Sequence, residues 1–203
     1  MKEIWEKKKL FVITIALIVG ILGTASTFAI VTARTGTVTN TFKAAGVTTE
    51  IEEEFEGEIK ADSTVKKNPR IKNTGVSDAF IRARITISPE KTNVTLLSGT
   101  WNDSIFTNKG TAVYDITPET ELYDPDGDGI GWYKGTDGWF YYNSPIAPEN
   151  STETLFDAVE IGSDVTKNFD ITIYQEAVFA ENYKAGEIVD SGIVKDFFTK
   201  VTK

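Results

Sequence analysis

Hydrophobic alternation with a period of two is the feature that most constrains the fold of this chain. Residues 79–87 place apolar side chains at odd positions and mainly polar side chains at even positions. The same alternation recurs at residues 169–177. A period of two puts neighbouring side chains on opposite faces of a β-strand, one buried and one in contact with water. The sequence therefore predicts a sheet that is half-buried.

Weaker alternation predicts further strands, which lie at residues 47–55, 65–72, 139–142 and 155–161. Pro69 has no backbone N–H to donate, so its strand is expected to lie at an edge or to bulge there. The sequence Asn73-Thr74-Gly75 is typical of a turn. Short strands with intervening turn residues and no alternating helices indicate an antiparallel β-sandwich.

Two regions of the predicted sandwich domain, residues 46–203, differ from its strands. Ile193, Phe197 and Val201 recur every four residues beside Val194 and Phe198, which predicts a short C-terminal helix, with a final strand as the alternative. Residues 98–137 are rich in Gly, Asp, Asn and Thr. We expect them to form a long insertion between sandwich strands, with room for a hairpin.

The N-terminal segment has the pattern of a secretory signal. Lys7, Lys8 and Lys9 precede an apolar stretch at residues 10–22, and small residues follow it. We predict a signal peptide at residues 1–29, cleaved after Ala29, with cleavage after Ala33 as the second choice. The alternative is a retained signal anchor, because the uncharged run at residues 10–33 is long enough, at about 1.5 Å per residue, to cross a bilayer core of roughly 30 Å.

The charge of the chain restricts its partners. The whole chain has a formal net charge of −9, and residues 30–203 alone have 17 basic and 28 acidic residues, a net charge of −11. This balance argues against binding to nucleic acid, whose phosphates require cations, and against docking on anionic lipid. We expect contact with the membrane only through an uncleaved signal.

Two residue types are missing altogether. Without cysteine, an exported chain is stabilised by core packing, by assembly or by bound ions. Without histidine, Ser-His-Asp catalysis and zinc sites with histidine ligands are excluded. Carboxylate pairs and a Ser-Lys dyad remain, but no spacing requires either, and we predict that the protein is not an enzyme.

An acidic turn is the candidate metal site. Asp124, Asp126 and Asp128 stand at positions 1, 3 and 5 of a calcium loop, followed by glycine at position 6. Position 12 is a glycine rather than glutamate, so Asp137 or Glu121 is the candidate for the missing ligand. The alternatives are a calcium site that braces the insertion and a solvated acidic turn without an ion.

Aromatic and cationic residues offer a second candidate site. Trp132, Tyr133 and residues 139–142 form an aromatic cluster that could stack on sugar rings or pack across strands. Alternation places Trp139 and Tyr141 on one face of the strand and Phe140 and Tyr142 on the other. Arg82 and Arg84 share one face of their strand, either wet or paired with acidic residues of a neighbouring subunit.

A set of segments in a fixed order spans most of the chain. These segments are residues 23–24 (GT), 37–42 (TVTNTF), 46–47 (GV), 65–75 (VKKNPRIKNTG), 79–85 (AFIRARI), 137–142 (DGWFYY), 154–156 (TLF) and 169–178 (FDITIYQEAV). Together they resemble the TasA/camelysin-like family of exported Gram-positive proteins. The resemblance is most specific at residues 20–85 and 137–178, and it does not cover the middle region.

The resemblance implies a mode of export and assembly. It implies cleavage by a SipW-type signal peptidase, a jelly-roll-like or Ig-like sandwich and, in the best-known members, fibres of the biofilm matrix. In such fibres the freed N-terminal segment completes a neighbour's sheet. The corresponding segment here is residues 30–45, with Val31, Val38 and Phe42 as the β-prone apolar positions. Pairing within its own domain and a flexible leader are the alternatives. Camelysin-type metallopeptidase activity is not implied, because the chain has no histidine to hold zinc.

These observations favour an exported structural protein of the cell surface or biofilm extracellular matrix. Its expected partners are copies of itself or other matrix proteins. The second hypothesis is a monomeric surface adhesin or carbohydrate-binding module that uses the aromatic residues. A carboxylate-based hydrolase is the third.

Overall fold

The structure, a computed structural model, describes residues 46–56 and 58–200. The predicted signal peptide with its cleavage site at Ala29 and the predicted strand-addition segment with Val31, Val38 and Phe42 lie outside the described residues. Within the described part of the chain, no helix is long and apolar enough to cross a membrane.

The described residues form an all-β structure with one short helix at the end, as the sequence predicts. The strands are β1 (Thr49–Glu52), β2 (Phe55–Glu56), β3 (Ser63–Lys67), β4 (Arg70–Asn73), β5 (Ala79–Ser88), β6 (Val94–Asn102), β7 (Ile105–Thr111), β8 (Leu122–Tyr123), β9 (Trp132–Lys134), β10 (Phe140–Tyr142), β11 (Ala158–Ile161) and β12 (Asp170–Phe179). A 3₁₀ turn covers Val113–Asp115, and helix α1 covers Ser191–Lys200.

The strands pair in three antiparallel sheets. One five-stranded sheet has the order β12-β5-β10-β9-β8, and the other has the order β2-β3-β11-β6-β7. Strands β1 and β4 form the third, two-stranded sheet. The longest ladder joins β5 and β12 through ten consecutive pairs, from Ala79 opposite Phe179 to Ser88 opposite Asp170.

Strand β5 buries one face in the main core, as its alternation predicts. Ile81, Ala83 and Ile85 belong to that core. The opposite face was expected to be wet, and this is wrong at its start, because Phe80 is fully buried in a second cluster beneath α1. The helix covers this part of the face, whereas Thr86 near the other end of the strand is exposed.

Pro69 lies between two strands that belong to different sheets. Strand β3 ends before it and pairs with β2 and β11, whereas β4 begins after it and pairs with β1. The predicted turn after β4 is held by Asn73, which is fully buried. Its side-chain oxygen accepts from Gly75 N at 2.9 Å, and its amide nitrogen donates to Ser77 O at 2.8 Å and Ile146 O at 2.7 Å.

The main core draws buried side chains from both five-stranded sheets. Its members include Val65, Leu96, Val159 and Ile161 from one sheet and Ile81, Trp132, Phe140, Tyr142 and Ile173 from the other. Helix α1 closes the second cluster, in which Val194 and Phe198 contact Phe80, Tyr141 and Val178. The predicted helix is thus confirmed, with Ile193 on its exposed side.

Residues 98–137 differ from the expected insertion. They contain β7, which is the edge strand of one five-stranded sheet, and β8 and β9, which end the other. Val113, Tyr123 and Trp132 from this region are buried in the main core. Strands of two or three residues are too short for alternation to show, and the polar residues between them hide their contribution to both sheets.

Cross-strand ion pairs hold the acidic β1–β2 region against β3–β4. Lys67 is almost completely buried and pairs with Glu53, which retains about a fifth of its exposure. Lys66 contacts Glu54 at 2.7 Å, and Arg70 contacts Glu52 at 3.3 Å. The acidic run is therefore locally neutralised by basic residues of β3 and β4.

Candidate functional site

Four carboxylates converge beside the main core. Asp124, Asp126 and Asp128 come from the loop between β8 and β9, and Glu153 comes from the segment between β10 and β11. One oxygen from each lies within 4.8 Å of one oxygen from every other. The structure therefore brings together the three aspartates that the sequence singled out and adds a fourth carboxylate that it did not.

Backbone amides orient the aspartates within their loop. Asp124 accepts from Gly127 N at 2.6 Å and from Gly129 N at 2.8 Å. Asp128 accepts from Ile130 N at 2.7 Å. Gly127 and Gly129 have φ values of 83° and 87°, a left-handed conformation that glycine adopts without steric cost. The glycines of this motif therefore let the loop curl around its own carboxylates.

Asn143 fixes the end of the loop to the sheet. Its buried side chain accepts from Gly131 N at 2.8 Å and donates to Gly129 O at 2.9 Å. Gly131 also has no room for a side chain, since a Cβ there would lie 2.0 Å from Tyr123 O. Both contacts hold the loop where β8 and β9 meet.

Glu153 is positioned by the strands on its other side. Trp132 Nε1 donates to Glu153 O at 3.2 Å. The flanking residues are bonded to the β4 region, with Thr152 N donating to Ile71 O at 2.9 Å and Leu155 N to Pro69 O at 2.8 Å. The fourth carboxylate is thus presented by hydrogen-bonded backbone rather than by a free loop.

The electrostatics of the cluster are unfavourable for Glu153. Burial raises the pKa of Glu153, and the nearby carboxylates of Asp126, Asp124 and Asp128 act in the same direction, so that together they bring it to about 8. Its Oε2 atom is buried and has no hydrogen-bond partner among the described residues. Burial also raises the pKa of Asp124, but the amides of Gly129 and Gly127 outweigh this and lower it overall.

The arrangement suits a hard divalent cation. Calcium is bound by carboxylate and carbonyl oxygens, often from a loop with acidic residues at positions 1, 3 and 5. The suggested ligands Asp137 and Glu121 are not part of the cluster: Asp137 accepts from Tyr141 Oη at 2.7 Å, and Glu121 accepts from Thr117 N at 2.7 Å. No spacing rule points to Glu153, because the sheets bring it to the loop from a distant position in the sequence.

Without metal, the stability of the protein is expected to fall as pH rises from about 4.5 to about 8. In this window the folded state keeps a proton on Glu153 that the unfolded state releases, because the pKa of Glu153 is about 8 in the folded chain and 4.5 ordinarily. Urea unfolding in EDTA at several pH values measures this. Glu153→Gln should flatten the profile and Glu160→Gln, at an exposed position of β11, should not; equal slopes in both variants would contradict the assignment.

The aromatic residues pack on both faces of β10. Phe140 and Tyr142 lie in the main core, whereas Tyr141 and Trp139 face α1. The Trp139 ring has the Arg82 guanidinium at 4.2 Å and the Arg84 guanidinium at 4.7 Å from its centroid. Cations so close to the ring oppose sugar stacking on Trp139.

Arg82 finds its acidic partner within its own chain. Its Nε donates to Glu176 at 2.9 Å across the β5–β12 ladder, and its Nη2 bonds the same carboxylate. Its Nη1 donates to Tyr141 Oη at 3.3 Å, and the Phe198 ring covers it at 4.7 Å. A neighbouring subunit is not needed to neutralise Arg82.

Comparison with known proteins adds no assignment. No family model matches the chain, and no significant match was found among curated proteins or solved structures. The resemblance to TasA/camelysin-like proteins stays a prediction from the quoted segments, and function is argued from the geometry.

Proposed function

We propose that this protein is an exported structural component of the cell surface or biofilm matrix that assembles into fibres by strand addition. In this proposal the two five-stranded sheets form a sandwich, in keeping with a main core that takes side chains from both. The observation that carries the proposal is the free edge of β12.

Strand β12 has one edge that pairs with no other described strand, although the Gln175 side chain on it donates to Thr49 O of β1 at 3.0 Å. Strand β12 is ten residues long and lies at the end of its sheet, paired along its whole length with β5. Its sequence, DITIYQEAVF, contains neither the lysine nor the proline that commonly protect an edge strand, and its ladder has no bulge. An extended segment can add to such an edge through backbone hydrogen bonds.

The direction of the chain favours a segment from another copy. Gly46 O accepts from Val76 N at 2.8 Å, and Ala180 N donates to Asp78 O at 3.0 Å, so the start of the described chain and the end of β12 adjoin the same turn. A segment folded back from Gly46 along β12 would run parallel to it. Every ladder among the described strands is antiparallel. A segment from a neighbouring copy can pair with β12 in this antiparallel direction.

Negative-stain microscopy of the secreted protein tests the proposal. We expect fibres from the unaltered chain and none from Val38→Asp or Phe42→Asp, since a charge on the inserted face would have to be buried. Thr39→Asp is the matched control, because it adds the same charge on the opposite face of the same strand and should leave fibres intact.

Cysteine cross-linking supplies a second measurement. The chain has no cysteine, so any disulfide joins two introduced cysteines, and each variant on its own is the control for pairing of like chains. Chains carrying Val38→Cys, mixed with chains carrying a single cysteine in β12, should form disulfide-linked dimers. Fibres that persist in both aspartate variants, or a protein that stays monomeric at high concentration, would refute strand addition.

We also propose that calcium is bound by Asp124, Asp126, Asp128 and Glu153, with the Ile130 carbonyl as a further ligand. The buried, unpartnered oxygen of Glu153 favours this over a solvated turn, because a cation would satisfy it and relieve the repulsion among the carboxylates. The ion would brace the β8–β9 loop against the segment beside β4. Its role is structural, in a chain that has no disulfide.

A further inference from the structure

Arg82 and Arg84 lie on the same face of β5 but differ in their ion pairing. Arg82 is bonded to Glu176 by two of its nitrogens. Arg84, two residues on, forms no ion pair with any carboxylate of the described residues. Its Nη2 donates to the backbone oxygen of Asp137 at 2.8 Å, and its Nε is buried without an acceptor in the described part of the chain.

The absence of a counter-ion at Arg84 is not due to a shortage of acidic groups. The chain has 30 acidic residues against 21 basic ones. The carboxylate of Asp137, the residue whose backbone oxygen Arg84 contacts, accepts instead from Tyr141 Oη at 2.7 Å and Trp139 N at 3.2 Å. The Trp139 ring, 4.7 Å from the Arg84 guanidinium, stabilises the cation but carries no net charge. An anion supplied from outside would therefore still be bound favourably.

The surroundings of Arg84 are hydroxylated and aromatic. Tyr174 stands directly opposite Arg84 on β12, and Thr172 stands opposite Thr86. Directly opposed residues have Cβ atoms about 4.5–5.5 Å apart, so the four side chains form one continuous surface. Thr86 is exposed and the other three are half-buried, which leaves polar atoms within reach of a ligand.

We propose that this surface, formed by Arg84, Thr86, Thr172 and Tyr174, binds a carboxylate-bearing sugar of an acidic polysaccharide. The remaining Nη donors of Arg84 hold the carboxylate in the two-pronged geometry that arginine favours. The Tyr174 ring offers an apolar support for the pyranose, and the threonine hydroxyls bond to its hydroxyl groups. The proposal does not depend on fibre formation, because the surface lies on a sheet face and not on the β12 edge.

Binding of the full chain to polygalacturonate, measured by calorimetry at about 0.15 M ionic strength, tests this surface, because repulsion between the polymer and the net negative charge of the chain is then largely screened beyond about 8 Å. The matched ligand is the same polymer with its carboxylates methyl-esterified. We expect the acidic polymer to bind, the ester to bind at least about 10-fold more weakly, and Arg84→Gln to lower affinity for the acidic polymer by a similar factor. Lys167→Gln is the control, since it removes one positive charge from an exposed site elsewhere.

Further variants separate the site from general charge effects and misfolding. Arg84→Lys keeps the charge without the fork and should bind with intermediate affinity, and Tyr174→Ala should weaken binding without changing its salt dependence. Equal affinity for polymer and ester, or equal losses in Arg84→Gln and Lys167→Gln, would overturn the proposal. The proposal would also be overturned if Arg84→Gln abolished self-association in the absence of polymer. Arg84 would then bind a carboxylate of a second copy of the chain rather than a sugar.

Discussion

Calcium is expected to raise the melting temperature of the metal-free protein by about 5–10 °C at a concentration 100 times its dissociation constant. Binding to the folded state alone at that ratio contributes about 2.7 kcal/mol. For a domain of this size each kcal/mol shifts the midpoint by about 2–4 °C. The four converging carboxylates provide the binding energy, and thermal unfolding in EDTA with and without added calcium provides the measurement.

Glu153→Gln makes this prediction specific, because its two effects have opposite signs. In EDTA the variant should be more stable than the unaltered chain at pH 8 and above, since it removes a buried carboxylate from beside three others. With calcium it should gain much less, because a strong ligand is lost. Glu160→Gln should behave like the unaltered chain in both conditions. A calcium shift that survives Glu153→Gln unchanged would exclude Glu153 from the site.

Trp132→Ala is expected to lower the free energy of unfolding by about 3–5 kcal/mol, the range for large aromatic truncations in a core. Trp132 is fully buried in the main core, contacts the Tyr142 ring at a centroid distance of 5.0 Å and donates to Glu153 O. The substitution should also weaken the calcium response, because Trp132 links the acidic loop to the segment that carries Glu153. Denaturant unfolding at fixed calcium measures both effects.

Trp101→Ala is the matched control for the core substitution. Trp101 is half-buried, packs against Phe106 with ring centroids 5.1 Å apart and donates to Asp157 O at 2.9 Å. It lies in the β6–β7 hairpin, and neither contact involves the acidic loop or Glu153. Its truncation should cost about 1–2 kcal/mol and leave the calcium response unchanged. Equal losses of the calcium response in Trp132→Ala and Trp101→Ala would show that Trp132 does not couple the core to the acidic loop.

The sequence predicts this fold best where one pattern persists over many residues. The alternation at residues 79–87 and 169–177 predicts β5 and β12, because both strands bury one face along most of their length. The spacing of Val194 and Phe198 predicts α1 for the same reason. What the pattern could not show is that α1 lies over the β5 face that carries Phe80, since which surface a helix covers depends on the complete topology.

The candidate metal site was predictable only in part, and the reason is geometric. Asp124, Asp126 and Asp128 lie in one loop, so their spacing alone brings their carboxylates together. Glu153 reaches them only because β9, β10 and the segment beside β4 are neighbours in the folded chain. Its flanking sequence, STET, has no motif that would distinguish it from an ordinary polar turn.

The distance in sequence between the acidic loop and Glu153 has a consequence for a thiol-free chain. An ion held between them would close a loop of about thirty residues, as a disulfide does in many exported proteins. Closure of the loop would then depend on the calcium concentration of the surroundings instead of an oxidant. If the protein is exported as proposed, the loop would stay open in a calcium-poor cell interior and close in a calcium-rich exterior.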